Sequence, residues 1–111
     1  MSDKTLTILH SNMLRLHQVI NTSTENGLPD NLLDVLALGF NLLNMSNNEL
    51  IQQQQARQTL SYNSVSLVIQ QCSALLWIVL EYASPQMEQS SVDELAEIYL
   101  HTHYLAKSLS C

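Results

Sequence analysis

Residues 65–84, VSLVIQQCSALLWIVLEYAS, constrain the fold more than any other stretch. On a helix at 100° per residue, Val65, Val68, Ile69, Cys72, Leu75, Leu76, Val79, Leu80 and Ala83 share one broad arc. A second apolar flank holds Leu67, Ala74, Ile78 and Tyr82, broken by Gln71. The polar strip is narrow, Ser66, Gln70, Ser73 and Glu81, and Trp77 sits inside it. A helix apolar around most of its circumference has to be covered from more than one direction. The pattern therefore predicts an all-α bundle of four or five helices with this hydrophobic segment as its central helix. Ser66, Gln70, Gln71, Ser73 and Glu81 interrupt the run, and no Lys or Arg cluster flanks it, so the expectation is a core helix and not a membrane span.

The remaining composition fits that picture. A chain of 111 residues is one domain, 1–111, and only two Gly and two Pro leave little room for the turns of a many-stranded fold. The net charge of −6 gives no basic footprint for nucleic-acid phosphates. Ten acids in 111 residues are too thin for a mimic of nucleic acid. Residues 61–111 carry Glu81, Glu88, Asp93, Glu94 and Glu97 against Lys107, which reads as a solvated helix start or as an acidic docking face. Two cysteines make neither a disulfide framework nor a metal-ligand spacing: Cys72 falls on the apolar arc, and Cys111 is the last residue. The opening MSDKTLTILHSN lacks the layout of a secretory signal, so the expected location is cytoplasmic.

Residues 3–21 form a first amphipathic helix on Leu6, Leu9, Met13, Leu16 and Ile20, capped by Ser2 or Asp3. Residues 22–29, TSTENGLP, read as a loop, and Asp30 as the N-cap of a second helix. Gly39 lies inside that helix, where it lowers propensity by roughly 1 kcal/mol against Ala. A close helix crossing would account for it. Ser46-Asn47-Asn48-Glu49 matches a capping box and predicts a further helix start, followed by a glutamine-rich stretch with Leu50, Ile51, Ala56 and Leu60 as its apolar anchors. A break at residues 61–64 separates it from the central helix; without one, residues 47–83 make a single rod. Pro85 ends the central helix, and Ser91-Val92-Asp93-Glu94 caps the last, which runs to about Leu109 and buries Val92, Leu95, Ile98, Tyr99, Leu105, Ala106 and Leu109.

No catalytic constellation appears. His10 and His17 are about 10.5 Å apart along a helix, and His101 and His103 point about 200° apart, so neither pair has metal-ligand spacing. Nucleophile elbow, phosphate loop, dinucleotide fingerprint and HExxH pattern are all missing. The expectation is no enzyme, no cofactor and no metal. The informative anomalies are apolar residues on polar faces. Trp77 is one, and Leu100 with Tyr104, four apart on the polar side of the last helix, make a contiguous knob. Each is either covered by a helix of the same chain or an anchor for a partner. Glu97 and His101, also four apart, form an ordinary surface pair beside them.

The resulting expectation is a non-enzymatic protein–protein interaction module, a small adaptor, regulator, inhibitor or chaperone-like protein. It docks by helix faces, with Trp77, Leu100 and Tyr104 as anchors and Glu97 and His101 on the rim. A homodimer is expected from two wide apolar helices in a short chain; nucleic acid and membrane are not expected as partners. The alternative is a small-molecule binder or sensor holding an apolar ligand between the central helix and the second one.

Overall fold

The computed structural model describes residues 2–57 and 61–109, without the side chains of Ser2 and Asp3. Four helices run in order: α1 (Ser2–Glu25), α2 (Asp30–Gln55), α3 (Asn63–Ala83) and α4 (Gln89–Leu109). A short 3-10 turn, Ser84–Gln86, follows α3, and no strand occurs among the described residues. The chain is an all-α bundle.

One spacing builds all four helices. Buried positions alternate three and four residues apart: Thr5, Leu9, Asn12, Leu16, Val19 and Ser23 on α1; Leu36, Gly39, Leu43, Ser46, Leu50 and Gln53 on α2. On α3 they are Val65, Ile69, Cys72, Leu76, Val79 and Ala83, and on α4 Ser91, Leu95, Ile98, Thr102 and Leu105. This is the seam of a coiled-coil-like bundle, with knobs of one helix entering the holes of its neighbours. α2 packs on α1 and α3, and α4 likewise packs on α1 and α3, so each helix occupies a corner.

That arrangement changes the reading of α3. Its broad arc is buried or half-buried as the pattern requires, against α2 and α4. The second flank is not covered: Leu67, Ala74, Ile78 and Tyr82 all face solvent. α3 is a corner helix with more apolar surface than its two neighbours occupy. Together with the turn that follows, Asn63–Gln86 is also the one segment among the described residues long and apolar enough to cross a membrane, by length and composition only.

Helix boundaries moved for identifiable reasons. α1 continues through residues 22–25, because Gly27, not the Thr/Ser run, stops it. Gly27 takes φ +80°, Leu28 N–H donates to Ser23 O (3.0 Å) and Gly27 N–H to Thr24 O (3.2 Å), a Schellman closure sealed by buried Leu28. Pro29, not Asp30, is the N-cap of α2, its carbonyl accepting from Leu32 and Leu33, with Asp30 in the first turn. The Ser46–Glu49 capping box does not form. α2 passes straight through it, Ser46 Oγ donates to Leu42 O, and Glu49 accepts from Gln53.

α2 ends at Gln55, with Arg57 in the left-handed region at φ 58°, and α3 begins at Asn63, so residues 47–83 are two helices and no rod. Gln53, buried inside the glutamine run, clasps the connection: its Oε1 accepts from Ser61 N–H (2.7 Å). α3 stops before Pro85, yet Ser84 keeps helical angles (φ −49°, ψ −44°). The helix ends because the proline ring has no N–H to continue the ladder, and the last turn tightens to 3-10. Nor does Ser91 cap α4. It is buried two residues inside the helix, and the start carries a Gln89 Nε2 to Asp93 Oδ1 bond (2.8 Å). Ser2 and Asp3, offered as caps, already lie in α1, and their side chains, like Leu60 and Cys111, lie outside what is described.

At Gly39 three helices meet. A Cβ there would sit 3.4 Å from Leu76 Cδ2, 3.7 Å from Cys72 Sγ and 3.9 Å from Leu16 Cδ2. A methyl group fits at ordinary contact distance, whereas a longer side chain does not. Gly39→Ala is expected to raise stability by about 0.5–1 kcal/mol through helix propensity, and Gly39→Leu to lower it by about 1–3 kcal/mol through overpacking. Urea midpoints at unchanged slope measure both, and a destabilised alanine variant would contradict the packing described.

Candidate functional site

Of the three anchors expected from the sequence, Trp77 meets α4 through Tyr99, whereas Leu100 and Tyr104 stand on the outward surface of α4, where Tyr104 also borders the cleft toward α1. Trp77 projects from α3 onto Tyr99 of α4, with ring centroids 5.5 Å apart and planes tilted by 41°. Tyr99 stacks on His103, one turn along, at 5.6 Å and 21°, and His103 meets the edge of Tyr104 at 5.6 Å. Spacings of four place Tyr99 over His103 and Leu100 over Tyr104 on adjacent ridges of α4. Trp77 is therefore partly covered from within the chain, yet 49% of it remains exposed, with Leu100 at 45% and Tyr104 at 63%. Tyr99, expected on the buried face of the last helix, and His103, weighed from the sequence only as a metal ligand, are half-buried and belong to this row of rings. Their i, i+4 relation to each other was the available signal.

Glu97 and His101 lie around the corner, toward α1, and they meet through a third residue. Arg15 forms a two-pronged bond with Glu94, Nε to Oε2 and Nη2 to Oε1, both 2.7 Å. Its Nη2 also lies 3.3 Å from Glu97 Oε2, and Nη1 donates to Nδ1 of His101 at 3.3 Å. The guanidinium thus replaces the expected Glu97–His101 pair. The bonds to Arg15 hold the Glu94 carboxyl below its usual range against the opposing effect of burial, and the same bonds raise the guanidinium. Arg15 is the one basic residue between Lys4 and Arg57 in the sequence, opposite acids three apart on α4. That pairing crosses 79 residues of chain and leaves no local trace.

Two open clefts flank α1. One, of about 590 Å³, lies toward α4 over Ile8, Asn12, His101 and Leu105; the other, of about 610 Å³, lies toward α2 over Leu6, His10, Leu14 and Ile51. Asn12, 1% exposed, reaches the first with an amide nitrogen that has no hydrogen-bond partner. The seam between α2 and α3, where an apolar ligand was expected, is filled by Gly39, Cys72 and Leu76. Its outer edge keeps a shallow groove of about 150 Å³ beside Met45 and Val68.

Cys72 is part of this packing. Its thiol donates to the carbonyl of Gly39 (3.3 Å), and burial pushes its pKa up to about 12, so the sulfur is protonated and inaccessible at neutral pH. The histidines are dispersed: His10 at the α1/α2 cleft, His17 tilted on Phe40 at 5.9 Å, His101 on Arg15 and His103 between tyrosines. Among the described residues no three His, Cys, Asp or Glu side chains group as metal ligands. Comparison with family models, with curated proteins and with solved structures returns no match, so geometry alone guides the functional reading.

The Arg15–Glu94 clasp has a pH signature. A carboxyl held below its usual range adds stability above that range and loses the contribution as pH falls through the lowered value. Glu94→Gln is expected to cost up to about 1 kcal/mol at pH 7, limited by the partial exposure of both partners. The gap from the parent should narrow at an acidic pH below the usual carboxylate range. Chemical denaturation at both pH values tests this; a gap that persists in acid would assign the effect to packing.

Proposed function

We propose that this chain is a non-enzymatic protein–protein interaction module that docks a partner through the α3/α4 face. The observation that carries the reading is the row of ring contacts from Trp77 on α3 through Tyr99 and His103 to Tyr104 on α4, with Leu100 exposed one turn before Tyr104. Aromatic rings already held against one another lose little rotamer freedom on binding, and Trp and Tyr dominate binding energy where they are half-exposed at the centre of a face. Asp93 on the exposed surface of α4 supplies an acidic edge, which suits an apolar partner surface flanked by Lys or Arg, while Glu97 is engaged by Arg15 on the α1 side. Adaptor, regulator, inhibitor and chaperone-like roles all use such a face.

Leu100→Ser/Tyr104→Ser leaves the buried seam untouched, so folding should persist while partner affinity falls by about 30-fold or more. The test compares parent and variant as baits in cells of the source organism, with circular dichroism as the folding control. The reading fails if the variant retains every partner of the parent.

A further inference from the structure

A second face, on the opposite flank of α3, is built differently. Leu38 and Met45 on α2, with Leu67, Ile78 and Tyr82 on α3, stand 43–72% exposed. Val35, Leu42, Val68 and Leu75, half-buried, form the floor between them. Met45 and Val68 lining one groove fixes the two rows as neighbours. The exposed side chains present on the order of 500 Å² of apolar surface before the floor is counted. That stands in the upper part of the roughly 300–600 Å² of a typical monomer's largest apolar patch, and with the floor added it approaches the roughly 800 Å² per partner of a standard interface.

Charge decides what fits. α2 has no charged residue between Asp34 and Glu49, and α3 has none before Glu81. The neutral centre is thus about 20 Å long. Neither helix carries a Lys or Arg, and only acids stand at the ends. An oppositely charged partner finds nothing to pair with over the centre, whereas a second copy can lay its own neutral centre there without burying a charge. We infer that this α2/α3 face is the interface of a homodimer, related by a two-fold axis and distinct from the α3/α4 docking face. Its rims are acidic on both copies, so pairing strengthens as salt screens them, the reverse of an interface held by ion pairs.

Sedimentation equilibrium of the full chain from about 1 µM to 1 mM should give a mass rising to twice 12.5 kDa. Dissociation constants should fall several-fold between about 0.05 and 0.5 M NaCl. Met45→Glu/Ile78→Glu changes exposed positions and should weaken pairing at least about 100-fold with helicity retained. Leu38→Gln/Leu67→Gln is the milder second variant, expected to shift the equilibrium in the same direction. A monomer throughout the range overturns the inference, as does a dimer that salt weakens. A monomer that floats with phosphatidylcholine vesicles overturns it too and assigns the face to a membrane surface. A dimer broken by Leu100→Ser/Tyr104→Ser but not by Met45→Glu/Ile78→Glu overturns it and also removes the α3/α4 face as a docking site for a different partner. Failure of the dimer alone leaves that docking reading standing.

Discussion

The alternation of three and four residues between buried positions is the constraint from which the rest follows. It makes each helix present a narrow stripe, and four such stripes close on one another with every helix at a corner. The layer at Gly39 shows how tightly: Leu76, Cys72 and Leu16 surround a position with no side chain of its own, and the Cys72 thiol spends its proton on the Gly39 carbonyl. A narrow stripe leaves a predictable remainder. Whatever apolar residues a helix carries outside its seam are left for solvent or for another surface.

α3 carries the largest remainder. Six of its eight buried positions are apolar or cysteine, Ser66 and Ser73 of the expected polar strip are buried beside them, and Leu67, Trp77, Ile78 and Tyr82 lie beyond. The neighbours then differentiate the two flanks. On the α4 side the remainder joins aromatic rings and an acidic rim. On the α2 side it joins aliphatic rows with no charge between Asp34 and Glu49. One polar-rimmed face suits selective recognition, and one neutral face suits self-pairing. Both come from a single helix that is more apolar than a corner position requires.

The helical character, the α3 arc and the exposure of Trp77, Leu100 and Tyr104 were legible because each rests on local periodicity. The even spacing was not, because polar residues hide it: Asn12, Ser46, Gln53, Ser91 and Thr102 occupy seam positions and break the apolar pattern. The same disguise produced two capping boxes that do not form, since Ser46 and Ser91 resemble helix starts when their burial is unknown. Gln53 is indistinguishable in sequence from Gln52, Gln54 and Gln55, yet it alone faces inward and ties the α2–α3 connection. Arg15 escaped notice for a different reason: its partners are on α4, and no helical period links residues that far apart.

Polar seam positions are also unevenly satisfied. Among the described residues, the buried side-chain atoms without a partner are on Asn12, Ser23 and Thr102, all of α1 or α4, and the cleft over Asn12 opens between those same helices. An unpaired buried polar atom costs about 1–3 kcal/mol. Leu9 and Leu16 of α1 share the buried core with Leu95 and Ile98 of α4, and the Arg15–Glu94 bond, a partly exposed ion pair of modest worth, adds to that packing. The α2–α3 contact, by contrast, is apolar through Leu36, Leu43, Cys72 and Leu76, with Gln53 closing its end. Among the described residues the unpaired polar atoms of the seam thus fall on α1 and α4, and none falls on α2 or α3.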